Sequence, residues 1–173
     1  MDMPQIAGEI SVLMGDRMPK ERILELCVER GWKLAVAESC TGGLIGGRLT
    51  SVPGSSAYFS GGVIAYSNDV KMSLLGVPMG LLESEGAVSG LVVEAMAMGV
   101  VMAAAADCGI AVTGVAGPDG GTADKPVGTV WVGIALPSGT TSRMYLFDGD
   151  REAVRAQTVD AALLLFLEAA EAG

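Results

Sequence analysis

The run Ala37-Glu38-Ser39-Cys40-Thr41-Gly42-Gly43 ends an apolar, strand-like stretch at a hydroxyl and passes at once into a glycine-softened helix start. Such a turn holds a serine against backbone N–H groups that have no partner inside the helix, the donors that a developing oxyanion requires. The chain contains no histidine, so no Ser-His-Asp triad can activate Ser39, and lysine is the remaining base. From position alone Ser39 reads equally well as a simple cap for the helix behind it.

The elements that must hold this turn follow from periodicity and punctuation. Pro19 opens a helix over 20–30 that Gly31 stops, and residues 5–14 carry a weaker helical pattern. Residues 32–38 form a strand and 41–51 a Gly-rich helix ended by Pro53. A second strand over 58–66 contains Gly61-Gly62, the mark of a bulge or a close backbone approach. Asn68 caps a short helix carrying Lys71, and Gly86-Ala87-Val88-Ser89 leads into a long Ala- and Met-rich helix, apolar on nearly all sides, that ends near Asp107. A strand over 108–115, an irregular loop over 117–126, a hairpin over 127–136 and 141–147, and a helix over 150–170 complete the chain. Strand and helix alternation with a closing hairpin predicts a three-layer α/β/α domain around a mixed, mostly parallel sheet of about five strands. Residues 1–19 read as an extension and 20–173 as the domain.

Composition narrows the function classes. The 173 residues are enough for one compact domain. Eleven basic against twenty acidic residues, a net charge of −9, oppose nucleic acid as a partner. Cys27, Cys40 and Cys108 form no metal-ligand pattern and fit a reducing cytoplasm. No apolar run reaches the roughly 18 residues of a membrane span, and the ten methionines suggest a subunit interface or core filler. The expectation is a cytoplasmic homo-oligomer, dimeric or higher, without membrane contact.

Several blocks stand in order along residues 20–170: Ala37-Glu38-Ser39-Cys40-Thr41-Gly42-Gly43, Pro53-Gly54-Ser55-Ser56, Gly61-Gly62-Val63, Tyr66-Ser67-Asn68 with Lys71, and Gly86-Ala87-Val88-Ser89. They continue with Thr113-Gly114-Val115-Ala116-Gly117-Pro118-Asp119-Gly120-Gly121, Lys125-Pro126-Val127-Gly128-Thr129-Val130, and Gly149-Asp150-Arg151 with Arg155. Together they resemble the C-terminal domain of the competence/damage-inducible CinA family, which is also the nicotinamide-nucleotide amidohydrolase (NMN deamidase) domain of bacteria. The resemblance implies hydrolysis of the carboxamide of nicotinamide mononucleotide with release of ammonia, without metal or other cofactor.

That resemblance implies roles for individual residues. Ser39 attacks, Lys71 is the base once burial lowers its pKa, and N–H groups from Cys40 to Gly42 meet the oxyanion. Tyr66 bonds the serine or the leaving amide, unless it is a packing residue with a wet tip. Lys71 taken alone reads as a solvated side chain. Cys40 is a rival nucleophile or a small buried residue, and Glu38 either meets Lys71 or the substrate ribose, or is a structural carboxylate on backbone N–H groups. Thr41, Gly42, Ser55, Ser56, Thr113 and Gly114 would bind ribose and phosphate, with positive charge from Arg151 or Arg155, which otherwise read as surface ion-pair partners. Glu85 and Gly90 stand where the family often has histidine and an acidic residue, a departure that bears on substrate fit. The other class of function is a non-catalytic nucleotide-binding or protein-interaction version of the same domain.

Overall fold

The computed structural model describes residues 18–173, and the helical expectation for 5–14 lies outside them. Helix α1, Pro19–Arg30, starts with proline in its first turn and ends at Gly31 in the left-handed region (φ 64°), as expected of that punctuation. It is followed by β1 (Leu34–Glu38), α2 (Leu44–Thr50), β2 (Phe59–Ile64), α3 (Asn68–Ser73), α4 (Met79–Glu85) and α5 (Gly90–Ala103). The chain ends with β3 (Cys108–Gly114), β4 (Thr129–Leu136), β5 (Gly139–Leu146) and α6 (Arg151–Ala172). The sequence reading has no counterpart for α4, whose seven residues follow Pro78 without a periodic apolar pattern.

The strand order is β2-β1-β3-β4-β5. Strand β1 lies parallel to both β2 and β3, whereas β3–β4 and β4–β5 are antiparallel. The mixed five-stranded sheet is as expected, but parallel pairings make up half of it, because β4 itself enters antiparallel to β3. The register between β1 and β2 slips between Leu34 and Ala35, at the Ser60 position, and a Cβ on Gly62 would collide with Val36. Gly61-Gly62 therefore supplies both the bulge and the close approach.

Side-chain parity divides the core in two. On β1 and β3, Leu34, Val36, Cys108, Ile110 and Val112 face the layer of α1, α2 and α6. Ala35, Ala37 and Ala111 face α5 and the short helices beside it. Both faces are apolar, which is why β1 reads as an uninterrupted apolar run. Small residues on the second face let α5 lie close: a Cβ on Gly109 would meet Ala97 O. The outer stripe of α5 is solvated, with Leu91, Met98 and Met102 more than half exposed, so this helix is not buried on all sides.

Gly99 of α5 sits against the segment after α3, where an added Cβ would run into the Leu75 carbonyl. That segment carries the Val77 N–H that bonds Lys71 O at 3.0 Å, so the contact between α5 and α3 positions Lys71. Gly99→Ala is expected to destabilise the domain by about 2–4 kcal/mol, since neither backbone can move without its neighbours. Urea denaturation of the two proteins measures it, and a loss below about 0.5 kcal/mol would show the approach to be loose.

Candidate active site

Strand parity also sorts Glu38 and Ser39. Residues 34, 36 and 38 point toward the α2 layer, so the next residue points toward α3, and the Ser39 N–H donates to Val112 O (3.2 Å), continuing the extended backbone. Glu38 is buried and accepts from Thr41 Oγ1 (2.6 Å) and from the N–H groups of Gly43 (2.9 Å), Ile45 (3.1 Å) and Gly46 (2.8 Å). Its carboxylate thus satisfies the orphan donors at the start of α2, whose N-cap Gly43 has no side-chain cap of its own. Of the two readings open for Glu38, the structure has the structural carboxylate on backbone N–H groups, and the ribose and Lys71 contacts are corrected to it, because every bond it makes lies in the turn. Ser39 does not cap a helix, and its hydroxyl is left for another partner.

Glu38→Gln would set an amide donor against donors that now meet a carboxylate. An expected loss of about 2–4 kcal/mol follows from breaking buried charge-assisted bonds. Thermal denaturation beside the wild type checks it, and an unchanged Tm would contradict the assignment.

The partner of Ser39 is Lys71. Its Nζ lies 3.3 Å from Ser39 Oγ, 2.9 Å from Ala65 O and 3.3 Å from Tyr66 O. The side chain is 2% exposed, so the solvated reading of this lysine does not hold. Burial lowers its pKa from the ordinary 10.5. No carboxylate among the described residues forms an ion pair with it to restore the charge. A neutral amine has two N–H groups and one lone pair; with both N–H groups on the two carbonyls, the lone pair faces the serine O–H. That arrangement can withdraw a proton from Ser39.

A cavity of about 300 Å³ opens on this pair. Ser39, Cys40, Tyr66, Lys71, Thr113, Gly114 and Arg151 are among its lining residues, so these predicted positions come together at the carboxyl end of the parallel strands. Ligands collect there because the loops on that edge diverge. Gly42 N–H is used by Ser39 O (3.2 Å), while among the described residues Cys40 and Thr41 N–H donate to no backbone or side-chain oxygen. Burial pushes the Cys40 thiol up to about 11, which disfavours the thiolate that a nucleophilic cysteine needs.

Other expected residues are placed differently. The Tyr66 hydroxyl accepts from Arg151 (3.1 Å) and makes no bond to Ser39, whose hydroxyl meets Lys71, so the expected contact with the serine is corrected to a place in the cavity lining; its tie to Lys71 is through the carbonyl. Arg151 also donates to Gly117 O (2.8 Å). Arg155 donates to Cys40 O (3.1 Å) and Thr41 O (3.2 Å), which makes it a brace for the turn outside the cavity lining. Thr41 is buried on Glu38, Gly42 supplies a left-handed turn residue (φ 58°), and neither lines the cavity. Thr113 donates to Ala87 O (2.8 Å), fixing the loop before α5.

Ser55 and Ser56 lie in a single turn of 3-10 helix, Ser55–Ala57, before β2, at the opposite edge of the sheet from Ser39. Their expected substrate contact is corrected accordingly, since a strand of six residues separates them from the cavity. The family departures have structural counterparts. Glu85 O accepts from Lys125 Nζ (2.9 Å), and a Cβ on Gly90 would press on Trp131 Cζ3 at 3.0 Å. The sequence reading has Ala87 and Lys125 only as members of blocks and Ala65 not at all, since they act through backbone carbonyls or from a loop.

Fold and cleft define a class: an α/β/α domain with a mixed sheet, whose β1 turn meets a buried lysine at the carboxyl edge. The model of the CinA C-terminal domain matches residues 16–170, and the chain belongs to that family. A CinA-like protein of Geobacter sulfurreducens is 49% identical over 156 residues, covering 90% of this chain and 38% of that longer protein. The nicotinamide-nucleotide amidohydrolase PncC of Enterobacter agglomerans is 51% identical over 148 residues, covering 81% of this chain and 90% of that protein. The crystal structure of a CinA superfamily protein from Klebsiella pneumoniae superposes with a TM-score of 0.85 at 34% identity, over 91% of this chain and 100% of that one. A competence/damage-inducible protein of Agrobacterium tumefaciens gives 0.84 at 40% identity, over 88% and 93%. No helix among the described residues is long and apolar enough to cross a membrane.

Proposed function

We propose that this chain hydrolyses the carboxamide of nicotinamide mononucleotide to nicotinate mononucleotide and ammonia. The observation that carries the reading is the buried Lys71 amine 3.3 Å from Ser39 Oγ at the floor of a cavity. Similarity to an amidohydrolase over 90% of that relative's length supports the substrate class.

The Ser39 proton passes to Lys71 Nζ as Oγ bonds to the carboxamide carbon, and the oxyanion rests on the Cys40 N–H, which lines the cavity. Lys71 then gives the proton to the departing nitrogen, which leaves as ammonia, and a serine ester remains. Water adds to the ester carbon with its proton going to Lys71; the acid departs and Ser39 recovers its proton. Arg151, which lines the cavity, supplies positive charge for the phosphate. Arg155 holds the turn that carries the oxyanion donor.

Ammonia release from nicotinamide mononucleotide by wild type and by Ser39→Ala tests the reading. Release by the wild type that is lost in Ser39→Ala supports it. The same background rate in both, with the nucleotide still bound, would make this domain a binding module instead.

A further inference from the structure

The mechanism leaves one charged group of the cavity unused. Asp119 is the sole carboxylate among the lining residues, and it has no hydrogen-bond or ion-pair partner among the described residues. Its loop is tied on both sides. Arg151 donates to Gly117 O (2.8 Å) before it; after it, Thr122 N–H donates to Lys125 O (2.9 Å) and Lys125 Nζ to Glu85 O (2.9 Å). Asp119 is therefore held in the cavity lining by a braced loop.

A charge count of the lining gives three groups: Lys71, Arg151 and Asp119. Lys71 is neutral when it acts as base, and Arg151 complements an anionic phosphate. The remaining negative charge calls for a cation on the ligand, and an N-substituted pyridinium ring carries one. We propose that Asp119 is a specificity-determining residue that recognises the positive charge of the pyridinium ring, so that the site prefers a cationic ring carboxamide to a neutral one of the same shape. This inference rests on the hydrolase reading above. Because Asp119 is exposed, its effect is local and reduced by salt.

The test compares nicotinamide mononucleotide with its neutral isostere, in which a benzamide ring replaces the pyridinium on the same ribose phosphate. Binding is measured by calorimetry in the Ser39→Ala background, which stops turnover, with Asp119 intact, Asp119→Asn or Asp119→Glu. Asp119→Asn is expected to weaken the cationic ligand about tenfold, or about 1.4 kcal/mol, while the neutral one changes less than twofold. Asp119→Glu should restore most of the loss, and added salt should shrink the difference. An equal weakening of both ligands would mean that the loop, not the charge, was disturbed, and would overturn the proposal. An unchanged affinity for the cation would overturn it too. Ammonia release by the wild type is scored separately, so a binding preference without turnover strikes the hydrolase reading and not the charge preference.

Discussion

Lys71→Met is expected to lower the rate of ammonia release from nicotinamide mononucleotide by about 10³-fold, within the 10²–10⁴ that a positioned general base supplies. Met keeps an unbranched apolar side chain in the place of the buried lysine stem, so the fold should persist although Ala65 O and Tyr66 O lose a donor. Lys71→Arg should be as inactive, because a guanidinium keeps its charge and has no lone pair to offer. That variant separates proton transfer from hydrogen bonding. Ser39→Ala should fail to the same extent, and Ser39→Ala with Lys71→Met no further, since the two groups act in one step. KM should move little, because Arg151 and the rest of the cavity wall are untouched. A coupled ammonia assay with circular dichroism on each variant decides it; a Lys71→Met protein keeping more than a tenth of the activity would remove the lysine from the mechanism.

Much of the scaffold was legible because its signals are local. Pro19 and Gly31 bracket α1, Gly61-Gly62 marks the bulge, and the glycine- and proline-rich stretch over 117–126 is the irregular loop it reads as. The site was legible as a set of blocks, but the placement of each block depends on tertiary structure. Lys71 lies on a helix of six residues, too short for an amphipathic pattern, so only the packing of α3 against β1 and α5 reveals its burial. Arg151 and Arg155 stand one helical turn apart, yet one enters the cavity and the other grips the turn carbonyls.

Strand alternation decides between the two readings of Glu38. With Leu34 and Val36 assigned to one face, alternation places Glu38 on that face and Ser39 on the other. Gly42-Gly43 then allows the chain to fold back over the carboxylate, with φ values of 58° and 110°. Ser55 and Ser56 were misplaced because they precede β2; in a parallel sheet, only loops that follow strands reach the ligand edge.

The rate should also follow the titration of Lys71. Burial lowers its pKa, and only the neutral amine accepts the serine proton, so kcat/KM should rise about tenfold per pH unit below that value and level above it. A profile flat between about pH 5 and 9 would contradict lysine as the base. Stability gives a second measure of the same group, independent of substrate. The folded pKa lies below the ordinary 10.5 of the unfolded chain, so between the two values the unfolded state binds the extra proton and stability rises with pH. The burden that Lys71 places on folding is thus full below its lowered pKa and gone above 10.5. Lys71→Met has no such titration, so wild-type stability should gain on that of the variant as pH climbs through this window. Urea denaturation of both proteins across pH yields the difference directly, and a difference that stays constant would mean that Lys71 keeps its ordinary pKa and is protonated beside Ser39 at neutral pH.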